Sequence, residues 1–366
     1  MLRGYLRTAR YAQSWKAGGD VTVHELTIDR EGREVPASLV LPANARGRVP
    51  AWIAIGGVSR MGRFHPQLVR FAEALGASGA AVLVPEIPEW TDLHVSPAVI
   101  GPTLRASIDA LRERPEVVPD RFGAIGFSFG APGLAIAASE PEIAEQISGI
   151  VLFGGYYCLD RTVRCLLTGR HEWEGVEHSL NPDPYGRWVL ASNHLTSVPG
   201  CEDAKDVAAS LRTLAAAASE RRVSAWEPEH DDLIRDLRAG LPSERQELFD
   251  CFATPTVSPR PDVDLCSELA SRLADACRRI DPLLDLASSL EGVTLPTQVI
   301  HGRGDRLVPF TEAYRLMAGF SDGVRRGATV TGLFNHSKEH SPPALMSRLT
   351  EQAKLFMALR DMINTV

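Results

Sequence analysis

The sequence holds no run approaching the ~20 apolar residues that a bilayer-crossing helix needs. A membrane-spanning chain is therefore not expected. Positive charge is in the minority. Against 46 Asp and Glu stand 39 Lys and Arg, for a net charge of -7. With no basic stripe to neutralise phosphates, no nucleic-acid partner is expected. The pairs Arg221, Arg222 and Arg278, Arg279 sit among acids and read as solvated helix faces. No H-E-x-x-H, no P-loop and no G-x-G-x-x-G at a first strand occurs, so metal, nucleotide and dinucleotide chemistry lack support and no cofactor is expected. The six cysteines (Cys158, Cys165, Cys201, Cys251, Cys266, Cys277) form no C-x-x-C pair and show no zinc-ligand spacing. They read as buried thiols of a reducing compartment, with one or two bridges left open for an exported chain. Met1 to Trp15 has arginines but neither an apolar h-region nor a small-residue cleavage site, so a cytoplasmic location is expected.

What is present is alternation. The 366 residues suffice for one large domain with an insertion, or for two domains. Val21 to Ile28 and Val35 to Leu41 flank the turn-like Asp29 to Gly32 and read as an antiparallel hairpin. Val49 to Ile55 is a buried strand running into Gly56, Gly57, and Ala80 to Val84 is another. Helical periodicity marks His65 to Leu75 and Pro97 to Arg114, the latter with Ile100, Leu104, Ile108 and Leu111 on one face. Phe122 to Ile125 and Ile147 to Tyr156 are further apolar strands. Near-continuous apolar strands alternating with amphipathic helices predict a mostly parallel sheet covered on both faces.

From Cys158 to about Glu291 the pattern changes. Leu211 to Ala218, Asp231 to Leu237, Glu244 to Phe252 and Leu265 to Leu290 read as helices, with no convincing strand among them and proline-bearing loops at 181–184 and 254–259. The segment 158–290 is expected to be a helical insertion, a cap or lid, within a core of 1–157 and 291–366. The α/β pattern then returns with the strand Thr297 to His301, a helix Pro309 to Phe320, a strand Ala328 to Leu333 and a C-terminal helix from about Pro343 to Ile363.

Between the strand at 122–125 and a helix of small residues lies Gly126-Phe127-Ser128-Phe129-Gly130, a G-x-S-x-G in strand-to-helix context. Such a turn holds a serine in a strained conformation with its Oγ exposed at the strand's C-terminal end. A serine hydroxyl is a poor nucleophile at neutral pH, so acyl transfer needs a histidine to take its proton and a carboxylate to orient that histidine. Reactive groups in a doubly wound sheet gather at the strands' carboxyl ends. Asp305 stands four residues past one strand end in a glycine-flanked turn, and His336 three residues past the next. Asp160 competes as the acid, His340 as the base, and Asp305 as a mere helix cap is a third reading. Glu86 and Glu89, after the Ala80 to Val84 strand, read as loop acids or as pocket lining.

With its elbow at Gly126 to Gly130, the turn HGRGD at His301 to Asp305 with Pro309 behind it, and the terminal His336, the chain resembles an α/β-hydrolase fold serine hydrolase of carboxylesterase type. The resemblance covers roughly residues 20–157 and 292–366. It implies an α/β fold with a mostly parallel central sheet, a Ser128 nucleophile, a His336 general base and an Asp305 orienting acid. It also implies an oxyanion hole from the backbone N–H of Phe129 and of Val58 or Gly57, where IGGVSR replaces the HGGG of one esterase branch. The expected substrate is a small-molecule carboxylic ester with a hydrophobic part, met by Phe127, Phe129 and an apolar cap. Amide or peptide cleavage, acyl transfer and a non-catalytic binding role are the alternatives. Monomer and homodimer both remain open.

Overall fold

The computed structural model describes residues 2–258, 261–286, 289–333 and 345–366. Helix α1 (Leu2–Ala17) precedes strands β1 (Val21–Arg30), β2 (Arg33–Pro42) and β3 (Val49–Ile55), followed by α2 (Pro66–Ala77), β4 (Ala81–Pro85), the single turn α3 (Pro88–Thr91) and α4 (Ile100–Arg112). Next come β5 (Val117–Phe127), α5 (Gly130–Ala137), the single turn α6 (Pro141–Ala144) and β6 (Ile147–Phe153).

The insertion follows, with α7 (Leu159–Thr168), β7 (Arg170–Trp173), β8 (Val176–Ser179), α8 (Pro184–His194), α9 (Lys205–Arg221), α10 (Asp231–Ala239), α11 (Ser243–Phe252) and α12 (Val263–Ile280). The chain re-enters the sheet through β9 (Thr297–Gly302), α13 (Thr311–Gly319), β10 (Arg325–Thr331) and α14 (Leu345–Ile363).

Eight strands form one sheet in the order β1-β2-β4-β3-β5-β6-β9-β10. β2 runs antiparallel to both β1 and β4, and the β3, β4, β5, β6, β9 and β10 pairings are parallel. This is the expected α/β architecture with an opening hairpin, and the order is that of the α/β-hydrolase fold. Because side chains alternate along a strand, a strand covered on both faces must be apolar throughout. In β3 the buried Ala51, Ile53 and Ile55 enter one apolar cluster, while Trp52 and Ala54 enter a second. The second cluster lies under α2 and the C-terminal helix, with Phe71, Leu75, Leu359 and Ile363. The first runs through α4 and α5 and continues into the insertion, through Trp188, Leu211, Phe249 and Leu273.

Two features depart from the sequence reading. The insertion is not free of strands: β7 and β8 pair as an antiparallel hairpin. Its turn, Glu174-Gly175, has positive φ at both residues (52° and 78°), as a type I′ hairpin turn requires. The N-terminal segment, read only for targeting signals, is a helix that buries Gly4, Thr8 and Tyr11. Its Arg7 donates to the Ile363 carbonyl at the other end of the chain (3.1 Å). Among the described residues no helix is long and apolar enough to cross a membrane. All six cysteines are free thiols, and all but Cys158 are buried.

Candidate active site

Ser128 sits on the turn between β5 and α5 with φ 52°. A left-handed backbone costs an L-residue roughly 1–2 kcal/mol, so this turn exists only because its surroundings impose it. Ser128 N–H donates to the Phe153 carbonyl (2.8 Å) and Ala131 N–H to the Ser128 carbonyl (3.0 Å), closing the turn from both sides. The flanking glycines are steric necessities. A Cβ at Gly126 would lie 2.5 Å from the Gly130 carbonyl oxygen and 2.7 Å from Ala131 Cα, and one at Gly130 would collide with the Gly56 carbonyl oxygen. The motif therefore compresses β5, α5 and the loop after β3 into backbone contact.

That loop faces the serine. A Cβ at Gly57 would stand 3.2 Å from Ser128 Cβ and 3.5 Å from its Oγ. Among the described residues, the backbone N–H groups of Gly57, Val58 and Phe129 have no hydrogen-bond acceptor. Phe129 opens α5 and packs edge-on against Trp90 (5.3 Å between ring centres). Phe127 points into the other apolar cluster, between Phe71 (4.8 Å) and Phe153 (5.0 Å). Glu86 turns to the backbone: its Oε1 accepts from Ile87 N–H (3.3 Å) and Arg63 N–H (3.4 Å), with the Arg63 guanidinium 3.6 Å away. Burial pushes its carboxyl above the ordinary range, against the downward pull of those donors. Glu89 is bound by Arg30 and Arg33 at the outer end of the β1–β2 hairpin.

Asp305 lies in the turn after β9 and is 1 % exposed. Its Oδ1 accepts from the N–H groups of Leu307 (2.8 Å) and Val308 (3.0 Å), which fixes the carboxylate's direction. His301, fully buried at the end of β9, places Nε2 3.0 Å from the Val308 carbonyl and 3.5 Å from Asp305 Oδ2. A carbonyl only accepts, so that nitrogen carries the proton. Asp160, the competing acid, lies in the first turn of α7 and pairs with Arg278 of α12. His336 and His340 lie outside the described residues.

An open cleft of about 380 Å³ adjoins the Asp305 turn. The hairpin lends it His171 and His178, whose rings stack at 5.1 Å and meet Phe310 edge-on (5.5 and 5.3 Å). Burial, with His178 and Arg315 adding to it, lowers the His171 pKa to about 4, so this imidazole is neutral at neutral pH. Arg303 lies over the Phe310 ring at 5.6 Å. The sequence reading did not single out these hairpin residues; Gly175 between two short polar runs is a signal that could have found them. No group of three or more His, Cys, Asp or Glu able to hold a metal occurs among the described residues.

No protein-family model matches the sequence, and no curated protein does. Solved structures of similar arrangement include Est1E from Butyrivibrio proteoclasticus, 13 % identical over 92 % of this chain and 99 % of that one, with a TM-score of 0.47. A fungal esterase from Rhizomucor miehei is 16 % identical over 98 % of this chain and 90 % of its own, with a TM-score of 0.48. A dienelactone hydrolase from Anabaena variabilis is 14 % identical over 94 % and 95 %, with a TM-score of 0.44. Strand order, the antiparallel β2 and the strained serine turn between β5 and α5 together make this chain an α/β-hydrolase fold protein.

Proposed function

We propose that the protein is a serine hydrolase that cleaves small-molecule carboxylic esters through an acyl-enzyme. Ser128 Oγ attacks the ester carbonyl while His336 takes its proton. The tetrahedral oxyanion lies against the N–H of Phe129 and that of Gly57 or Val58. His336 returns the proton to the departing alcohol, and water, activated by the same imidazole, then releases the acid and regenerates Ser128. Asp305 orients the imidazole. The observation that carries this reading is the left-handed Ser128 facing a glycine loop whose N–H groups are unengaged. Preorganised donors of that kind are typically worth ~3 kcal/mol of barrier each.

In the same reading the insertion is a cap that lends substrate-contacting groups, among them His171 and His178 of the cleft beside Asp305. The test is a fluorophosphonate label together with a panel of p-nitrophenyl esters and peptide anilides. Labelling and ester turnover that both vanish in Ser128→Ala support the assignment. Labelling that persists in Ser128→Ala ends it, and faster cleavage of anilides than of esters moves the protein to amide hydrolysis.

A further inference from the structure

The insertion is hydrogen-bonded to the loop after β3. The loop that carries Gly57 and Val58 is fastened to it at several points. Tyr185, in the first turn of α8, donates its hydroxyl to the Val58 carbonyl oxygen (3.1 Å). Ser219, near the end of α9, lies 3.0 Å from Ser59 Oγ and accepts Arg60 N–H at 3.0 Å. The next residue, Glu220, takes Arg60 Nε at 3.2 Å. Ser59 Oγ in turn accepts Met61 N–H (3.2 Å).

The same turn of α8 is anchored to the acid loop. Asp183 caps it by accepting Tyr185 N–H (2.9 Å), and Asp183 N–H donates to the Arg306 carbonyl, one residue beyond Asp305 (2.8 Å). Arg306 Nε reaches back to the Asn181 carbonyl (2.7 Å). Residues 181–185 thus form a strut between the loop facing Ser128 and the turn holding Asp305.

The geometry points to Tyr185 as a positioning residue for the oxyanion hole, acting through the Val58 carbonyl, with Ser219 as its second support. This rests on the proposed Ser128 hydrolase. The peptide planes on either side of Val58 Cα share that residue's φ and ψ. Holding its carbonyl from outside therefore limits how its N–H can turn relative to an oxyanion on the Ser128 side. A backbone donor contributes to the transition state only while its direction is fixed beforehand, and misplacement near 1 Å costs up to about a hundredfold in rate. The hydroxyl itself touches no reacting atom. Its loss should therefore appear in kcat and leave substrate affinity nearly unchanged.

The variants are Tyr185→Phe, which keeps the ring and removes the donor, and Ser219→Ala. Both are measured on the full chain for kcat, KM and thermal midpoint with a p-nitrophenyl ester. The expected result is a kcat lower by about ten- to a hundredfold in Tyr185→Phe, with KM within about threefold and the folded fraction unchanged; Ser219→Ala shows a smaller drop of the same kind. Wild-type kcat in Tyr185→Phe overturns the inference. A loss of activity in both variants carried by a raised KM, with kcat unchanged, overturns it as well, since it assigns the strut to substrate binding. Should Tyr185→Phe fail to fold, Ser219→Ala decides on the same two criteria. Fluorophosphonate labelling of the wild-type chain at Ser128 separates this outcome from failure of the hydrolase reading, because that labelling stands whether or not Tyr185 matters.

Discussion

Gly57 and Ser128 face each other across two loops: a methyl group at position 57 would lie 3.2 Å from the serine's Cβ and 3.5 Å from its Oγ. Such a distance is tight without being impossible, and Ser128 has little freedom to yield because both sides of its turn are hydrogen-bonded. Gly57→Ala should therefore lower kcat/KM toward p-nitrophenyl esters by about ten- to a hundredfold while changing stability by less than about 1 kcal/mol. Parallel ester kinetics and urea titration check it. Unchanged kcat/KM would mean that the loop can retreat and that its placement is not critical.

The positive φ of Ser128 is stored strain, and it makes a prediction independent of substrate. Glycine occupies the left-handed region without a Cβ penalty, whereas alanine bears it as serine does. Ser128→Gly and Ser128→Ala should both lack esterase activity, yet the glycine variant should be more stable by about 1 kcal/mol. Equal unfolding midpoints would show that the turn relaxes when the hydroxyl is removed.

How much of this was legible in the sequence depended on whether packing or chance contact wrote the signal. β3, β6 and β9 are buried on both faces, so they read as apolar runs and were found, as was the serine turn, whose glycines answer to backbone collisions. Helix α1 was not found, because it buries only Gly4, Thr8 and Tyr11, and that stripe carries no apolar period. The β7–β8 hairpin was missed because its strands are short, polar and mostly exposed, held by a turn rather than by a core. The acid turn was legible through glycine spacing, with His301 as its first residue, but the bond from His301 to the Val308 carbonyl was not, since no side-chain pattern announces a backbone partner. Tyr185 escaped for the same reason.

The insertion begins at a joint that Glu312 controls. This fully buried carboxylate accepts the N–H groups of Tyr157 (3.0 Å) and Cys158 (2.8 Å) with one oxygen and Arg161 Nε (2.9 Å) with the other. It ties the start of the insertion to α13, in the core. Glu312→Ala removes the acceptor of two part-buried N–H groups and of the Arg161 guanidinium, and should cost about 2 kcal/mol. Glu312→Gln keeps the shape and one acceptor and should cost less. Hydrogen exchange at Tyr157 and Cys158 reads the joint directly. Protection there that survives Glu312→Ala would mean other contacts hold it.

His194, at the end of α8, is 5 % exposed, and neither ring nitrogen has a hydrogen-bond partner among the described residues. Burial lowers its pKa from 6.5 to about 4. An unfolded chain therefore binds this proton near pH 6.5, whereas the folded chain resists it until near pH 4, so the unfolded state carries more protons in between. Stability from this residue is complete above about pH 6.5 and is lost as pH falls toward 4, by about 3 kcal/mol in all. In His194→Leu the imidazole is gone, and with it this share of the acid lability. Denaturant midpoints of both proteins from pH 8 down to pH 4 should diverge progressively below about pH 6.5, with the leucine variant flatter. Parallel curves across that range would show that His194 meets water or a partner on protonation and is not the acid-sensitive point of the insertion.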